Sequence, residues 1–322
     1  GEKLFRIMSH LMAYAFERFV FFQAATADRE CVAALQILFP KLTPGRIHFA
    51  ESGIELEGLG AGDLLAQLPP EMAVRVESMI GEEMGWGDAG LAVSLVVTQF
   101  PLEMAKTVGN QELIDLSTGK IGCWMITHPD KGTDVGAFDM KREWVPGAPG
   151  NKGTMRATVT KDEIIINGQC SAWVSNGAVA QVALGYLGAD YGDGFYGADG
   201  RPNGIACIIP LDLPGVSKGK PLEKIGQRAL PQGEIYFDNV KIPRRFAVAQ
   251  QEDYYGNVAS AWSFAGTHMG QVFTGVARAA FEMALAYCHE RKQGGQRQAD
   301  NNACRHACPS RSHRIKRDGD GI

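Results

Sequence analysis

The feature that most constrains the fold of this chain is a change of hydrophobic periodicity near Gly119. Before that position, apolar residues recur at intervals of three and four, which is typical of amphipathic helices. From Lys120 to Pro243 the sequence is rich in β-branched residues, glycine and turn dipeptides, which favours short strands. Helical spacing returns from about Asn257 to Lys292, with abundant alanine. The sequence therefore predicts helices, then strands, then one long helix.

These regions predict an α+β multidomain protein. We expect an N-terminal helical domain over residues 1–118, a central β-barrel or β-sandwich domain over residues 119–243, and the start of a C-terminal helical bundle over residues 244–295. The last region holds a run of about 35 helical residues, so it should pack in a bundle or across a subunit interface. Residues 296–322 have few long apolar side chains and are expected to form an irregular or disordered tail.

Two local patterns give more detailed predictions. Asn167-Gly168 separates two short alternating segments, and this dipeptide tolerates the positive φ angles of a tight turn, so a hairpin is expected there. Pro101 follows the small apolar run from Gly85 to Val97 and is expected to open a second helix that packs on the first.

Charge and hydropathy exclude some classes of function. The formal net charge is -4 and the pI is near 6.0, whereas nucleic-acid binding normally requires a basic face that neutralises phosphates. The sequence contains no run of about 18 uninterrupted apolar residues, so no membrane span is predicted. The first residues lack the basic-then-apolar order of a secretory signal. We therefore expect a cytoplasmic protein that binds no nucleic acid.

The seven cysteines are an odd number scattered through a large chain, which favours reduced thiols over a disulfide framework. Cys304 and Cys308, with His306 and His313 nearby, come closest to metal-ligand spacing. Structural zinc sites use tighter paired spacings in a folded context, so no metal site is expected.

Four segments resemble, in the same order, segments of the FAD-dependent acyl-CoA dehydrogenases. The run that contains Thr127-His128-Pro129 and Gly132-Thr133-Asp134 is similar to the T-E-P-x-A-G-S-D signature of that family. The other three are Asn167-Gly168 with Trp173-Val174-Ser175-Asn176-Gly177, the stretch from Pro214-Gly215-Val216 to Val240-Lys241-Ile242-Pro243, and Glu290-Arg291-Lys292-Gln293.

The resemblance implies a FAD site. In the family, the FAD is lined by the positions that match Trp124, Ile126, Thr127, Gly132, Thr133, Trp173, Val174 and Ser175. Indole rings and hydroxyl groups suit a flat apolar ring with a polar rim. Arg291 and Gln293 match positions that reach the FAD pyrophosphate of a neighbouring subunit, which implies a homo-oligomer, either a dimer or a tetramer.

The resemblance also implies a reaction, which is α,β-desaturation of an acyl-CoA thioester. A base removes the α-proton and the β-hydrogen leaves as hydride to flavin N5, with an electron-transfer flavoprotein or a similar protein as acceptor. No catalytic base can be assigned, because Ala265 occupies one of its family positions and the other lies beyond Gly295, where the resemblance stops. Gly266 stands where many members have an arginine. A truncated or out-of-frame coding end would explain the composition of the tail and the abrupt loss of resemblance after Gly295.

Two alternatives remain beside desaturation. One is a catalytically incomplete flavin-fold protein that lacks the base-bearing helices, and the other is a flavin-dependent monooxygenase on the same fold, which needs no such base. His128 is a further departure, because it replaces the common glutamate. It is expected to be an exposed loop residue rather than a group that titrates beside the flavin.

Overall fold

The computed structural model describes residues 69–129, 154–197 and 202–291. Within residues 69–129, three helices precede the sheet, and they are α1 (Pro70–Gly87), α2 (Ala89–Thr107) and α3 (Gln111–Ser117). Much of the predicted N-terminal domain and the predicted tail lie outside the described residues. The domain boundaries therefore stay predictions.

Side-chain caps fix where the second and third helices begin. The Asp88 carboxylate accepts the Leu91 N–H at 2.8 Å, and the Asn110 amide oxygen accepts the Leu113 N–H at 3.3 Å. Each cap satisfies a backbone donor that the first helical turn would otherwise leave unpaired. The prediction that Pro101 opens a helix is wrong, because Pro101 lies inside α2 and the helix continues through it.

The part of the chain that the structure describes then forms eight strands. They are β1 (Gly122–Met125), β2 (Arg156–Val159), β3 (Glu163–Gln169), β4 (Val182–Asp190), β5 (Gly204–Pro210), β6 (Val216–Lys218), β7 (Ile235–Pro243) and β8 (Ala247–Gln250). They form one sheet with the strand order β6-β7-β3-β2-β4-β5-β8. Strand β1 is not part of this order and pairs with β4.

Strand β4 is central because two strands share one of its edges. β1 runs parallel to its first half, from Gly122 opposite Val182 to Met125 opposite Gly185. β2 runs parallel to its second half, beginning with Arg156 opposite Gly188. The other edge of β4 pairs with β5, and nearly all of β4 is buried. The edge of β4 that β1 and β2 share therefore has a short interval, between Gly185 and Gly188, that neither strand pairs with.

The predicted hairpin at Asn167-Gly168 is wrong. Both residues lie within β3, where Gly168 has a φ of +107° at a shift of register against β7. A Cβ at Gly168 would overlap the carbonyl oxygen of Thr154, so the strand needs glycine there for close approach as well as for its backbone angle. The positive φ that the dipeptide predicts is present, but in a bulge rather than in a turn.

The long C-terminal helix is longer than predicted and begins after one more strand. A 3-10 turn at Arg244–Phe246 leads into β8, which pairs with β5. Helix α4 then runs from Glu252 to Glu290 over 39 residues. The β-sheet therefore extends beyond the predicted end of the central domain at Pro243.

Helices α1 and α4 pack closely and are joined by buried charges. Arg278 of α4 donates to Glu82 at 2.7 Å and to Glu83 at 2.6 Å, both on α1. His268 contacts the Glu77 carboxylate at 3.0 Å through Nε2 and the Phe264 carbonyl through Nδ1. Burial acts to lower the pKa of His268, but these acceptors outweigh burial and raise the pKa overall.

The main core lies between the sheet and the helices, and it includes three cysteines. Cys123, Cys170 and Cys207 are free and buried, and Cys288 is free and half-buried. Burial raises the pKa of Cys170 to about 12, so its thiol stays protonated and behaves as a small apolar group. Cys304 and Cys308 lie outside the described residues.

The α+β fold class is confirmed, with a helical N-terminal part, a central sheet and a C-terminal helix. Among the residues described, no helix combines the length and hydropathy that crossing a bilayer requires. Within the same ranges, no group of three or more His, Cys, Asp or Glu side chains is arranged to hold a metal ion.

Candidate functional site

The structure brings together two of the segments singled out in the sequence. The first follows β1 and runs from Ile126 to His128, and the second is the loop from Ser171 to Gly177 between β3 and β4. The Ser171 N–H donates to the Thr127 carbonyl at 3.0 Å. This bond places the two segments side by side beyond the end of β1, and we call the pair of segments the joined edge.

Trp173 is the most exposed aromatic side chain of the joined edge, with 63% of its surface accessible. Its backbone is fixed, because its N–H donates to the Ser171 hydroxyl at 3.0 Å and its carbonyl accepts from Gln232 Nε2 at 2.9 Å. An exposed indole on an ordered backbone is a candidate wall for a flat ligand.

Trp124 has a different environment. Its indole lies edge-on to three rings, Phe100 of α2 at 5.2 Å, Tyr186 of β4 at 6.3 Å and Trp262 of α4 at 5.3 Å between centroids. Burial raises the pKa of Tyr186, whose hydroxyl donates to Asn257 of α4 at 2.8 Å. The aromatic cluster therefore joins the sheet to the helices, and Trp124 is less accessible than Trp173.

The remaining predicted site residues fall into three groups. Ile126 and Val174 have only 3% and 1% of their surface accessible, so their side chains belong to the core. Thr127 and Ser175 are half-buried and keep part of their surface at the joined edge. Gly132, Thr133 and Gln293 lie outside the described residues.

Arg291 lies at the C-terminal end of α4 and is exposed. Its guanidinium stacks over the Tyr287 ring at 5.6 Å and also donates to the Tyr287 hydroxyl. Trp262, which contacts Trp124, precedes Arg291 by 29 positions, which corresponds to roughly 40 Å along a helix. The structure therefore does not bring Arg291 to the joined edge of its own chain.

The expectation that His128 is an exposed loop residue is wrong, because only 1% of its surface is accessible. The Met155 N–H donates to His128 Nδ1 at 3.4 Å, and His128 Nε2 lies 3.0 Å from the Tyr186 carbonyl. Since a carbonyl can only accept, Nε2 carries the proton and Nδ1 does not. His128 is therefore a neutral imidazole. It bridges β4 and the residue before β2, beside the part of β4 that lies between its pairings with β1 and β2.

Replacement of His128 by leucine is expected to cost about 2–3 kcal/mol, because it leaves the Tyr186 carbonyl and the Met155 N–H unpaired in a buried sheet. Glutamine offers a donor and an acceptor on a side chain of similar length, so His128→Gln should lose clearly less. Urea unfolding of the three proteins measures this difference. Equal losses for leucine and glutamine would contradict the bridging role.

Asn176 was not among the predicted site residues, although it lies within the joined edge. It has 0% of its surface accessible and a φ of +63°. Its side chain contacts α2 and β1 through hydrogen bonds. Asn176 belongs to a segment that resembles the family, and Asn before Gly tolerates a left-handed backbone, but neither feature predicts its burial or its partners.

Two positions of α4 match places where members of the resembled family carry a catalytic glutamate or an arginine. Ala265 is buried against the main core, and its methyl group supplies no acid–base chemistry. Gly266 is surrounded by open space, since a Cβ there would meet no atom within 4 Å. Neither position therefore supplies the glutamate or the arginine that the resemblance would place there.

Comparison with known proteins gives matches over this same region. Residues 123–240 match the family model described as acyl-CoA dehydrogenase, middle domain. Glutaryl-CoA dehydrogenase of Desulfococcus multivorans is 28% identical over 241 residues, which are 74% of this chain and 55% of that protein. The chain spans about half the length of the curated relatives it matches.

Two solved structures share the fold. A glutaryl-coenzyme A dehydrogenase in complex with glutaryl-CoA aligns with a TM-score of 0.58 and 23% identity, over 92% of this chain and 69% of that one. A structure described as an FAD-dependent dehydrogenase aligns with a TM-score of 0.58 and 19% identity, over 89% of this chain and 70% of that one. At these identities the likeness establishes the fold alone.

Proposed function

Because the chain belongs to the acyl-CoA dehydrogenase family, we propose that it is a flavin-dependent oxidoreductase that binds FAD at the joined edge and desaturates an acyl-CoA thioester. The observation that carries this proposal is the hydrogen bond between Ser171 and Thr127. It unites, in one place, the two segments that resemble the flavin-binding segments of the family.

The residues present at the joined edge fit a flavin. A tricyclic ring needs an apolar wall on one side and hydrogen-bonding groups at its rim. Trp173 offers an exposed indole on a fixed backbone, and Ser175 and Thr127 keep half-buried hydroxyl groups nearby. An indole of this size, exposed on an ordered loop, is consistent with a surface that a ligand covers.

The other predicted residues would contribute in different ways. Ile126 and Val174 would shape the site through their backbones, because their side chains are buried in the core. We propose that Gly132 and Thr133 complete the site, with the glycine allowing close approach of the ligand to the backbone. Trp124 would border the site on the side of α2 and α4.

Arg291 and Gln293 would serve the FAD of another copy of this chain. The length of α4 supports this, because Arg291 lies roughly 40 Å along the helix from the turn that contacts Trp124. A guanidinium fork suits a pyrophosphate. The proposed protein is therefore a homo-oligomer, a dimer or a tetramer, in which each flavin site takes a cation from a neighbour.

When bound, the flavin would accept the β-hydrogen of the thioester as hydride at N5. The chain would orient the ring through Trp173 and its rim through Thr127 and Ser175. The α-proton needs a base, and at the α4 position Ala265 cannot supply one. An electron-transfer flavoprotein or a similar acceptor protein would be the redox partner of the flavin-loaded protein.

Anaerobic titration of the flavin-loaded protein tests this function. With acyl-CoA thioesters that include glutaryl-CoA, we expect the visible flavin absorption to bleach and an enoyl-CoA two hydrogens lighter to form. A protein that holds FAD but is bleached only by reduced nicotinamide, and then consumes oxygen, would instead be a monooxygenase. A protein that holds no FAD would contradict the proposal and support the incomplete flavin-fold alternative.

A further inference from the structure

We propose that Asn176 is a positioning residue that holds the Trp173–Ser175 loop in its ligand-binding conformation by tying it to α2 and β1. This inference rests on the proposed flavin function and names what fixes that site. Asn176 takes part in no catalytic step, because its side chain is fully buried.

The side chain of Asn176 uses both its acceptor and its donors. Its amide oxygen accepts from the Ser94 hydroxyl at 2.7 Å. Its amide nitrogen lies 2.9 Å from the Ser94 carbonyl, 3.1 Å from the Thr98 hydroxyl and 3.1 Å from the Gly122 carbonyl. Helix α2 supplies two of these partner residues and the first residue of β1 supplies the third.

No other side chain of similar size could make this set of bonds. The amide oxygen needs a donor and the amide nitrogen meets only acceptors, so an aspartate would face three oxygen atoms with a charged carboxylate. The φ of +63° also favours asparagine or glycine over other residues. Both the backbone and the side chain therefore require Asn176.

The backbone of Asn176 takes part in further hydrogen bonds within the loop. Its carbonyl accepts from Val179 at 2.9 Å and Ala180 at 2.8 Å, and the following Gly177 donates to the Val174 carbonyl at 3.0 Å. A Cβ at Gly177 would overlap the Gly233 carbonyl oxygen. The loop is thus closed on itself directly after Ser175.

A second group of contacts holds the same loop. Gln232 donates to the Trp173 carbonyl at 2.9 Å, and Lys224 fixes the orientation of that amide by donating to its oxygen at 2.9 Å. Gly233 donates to the Val174 carbonyl at 3.3 Å. The bonds of Asn176 and Gln232 together hold the backbone that carries the Trp173 indole and the Ser175 hydroxyl before any ligand binds.

Holding the loop in advance should strengthen FAD binding, because ordering a loop on binding costs free energy. Loosening the Asn176 contacts should therefore weaken FAD binding even when the protein remains folded. A residue that only stabilised the fold would lower the unfolding midpoint and leave the affinity of the folded protein for FAD unchanged.

Thr98→Val is the mild variant, because it keeps the shape of the side chain and removes the hydroxyl that contacts Asn176. Thr107→Val is its matched control, since Thr107 lies on the same helix and makes the same bond to a carbonyl four residues earlier. Asn176→Gly removes every side-chain bond and keeps a residue that accepts positive φ.

The full chain is titrated with FAD at a temperature where all variants are folded, and amide exchange is measured at Gly177, Val179 and Ala180. Thr98→Val should raise the Kd for FAD about fivefold and Asn176→Gly about a hundredfold, with Thr107→Val unchanged. Exchange at the three amides should be faster in the first two variants only.

An unchanged Kd in Thr98→Val and in a folded Asn176→Gly would overturn the positioning role while the flavin function stands. If the wild-type chain binds no FAD, the proposed function fails, and the exchange data still decide whether Asn176 holds the loop. Faster exchange in Thr98→Val than in Thr107→Val supports that holding role, and equal exchange overturns it.

Discussion

Replacement of Gly275 by alanine is expected to destabilise the protein by about 3 kcal/mol, as overpacking of a close helix contact does. A Cβ at Gly275 would overlap the carbonyl oxygen of Glu82 on α1, and one at Gly85 would overlap the carbonyl oxygen of Val272 on α4. The helices touch backbone to backbone, so α1 and α4 must separate to accept a methyl group. Separation also strains the bonds from Arg278 to α1.

Gly270→Ala is the matched control for this prediction. Gly270 lies on the same helix, and a Cβ there would meet no atom within 4 Å. Alanine is the better helix former, so this variant should gain about 0.5–1 kcal/mol. Chemical unfolding followed by circular dichroism measures both changes. If the two variants shift stability in the same direction, the close contact between α1 and α4 is not what makes Gly275 necessary.

Replacement of Trp173 by alanine is expected to weaken FAD binding by about 2 kcal/mol, or roughly thirtyfold in Kd, because a large aromatic wall is lost. The folded protein should be little affected, since 63% of the indole surface is already exposed. Trp173→Phe keeps a flat ring and should lose less. Equilibrium titration with FAD measures all three proteins.

Met283→Ala provides the control for a lost exposed side chain. Met283 has 75% of its surface accessible and lies on α4, far along the helix from the residues that contact Trp124. Its replacement should leave the Kd for FAD unchanged. An unchanged Kd in Trp173→Ala would mean that the indole is not a wall of the flavin site.

Regular elements could be predicted from periodicity because their burial repeats along the chain. The long helix α4 covers nearly all of the predicted helical run. Pro101 was misplaced because a proline predicts a helix start from local chemistry alone. Packing of α2 against the sheet keeps the helix continuous through it.

The bulge at Gly168 shows a second limit of predicting structure from local sequence. The Asn167-Gly168 dipeptide predicts a positive φ, which the structure has, but a turn and a bulge share that requirement. What decides between them is the carbonyl of Thr154, which approaches Gly168 so closely that no Cβ fits. That contact comes from the residues that lead into β2, where the Thr154 hydroxyl donates to the Gln169 carbonyl, and the dipeptide alone does not specify it.

The two segments of the candidate site could be predicted from the sequence, but the buried residues that hold them could not. The two segments could be found from their resemblance to a family, and Trp173 is exposed as a ligand wall should be. His128 and Asn176 could not be understood that way. Each is buried because of long-range contacts, His128 with β4 and Asn176 with α2, and burial of a polar side chain depends on partners distant in sequence.

A crystal structure of the chain grown with FAD tests the central claim most directly. The account predicts a flavin ring against the Trp173 indole, with the hydroxyls of Thr127 and Ser175 within hydrogen-bond distance of its polar rim. A flavin bound elsewhere, or a joined edge that stays empty at saturating FAD, would contradict it.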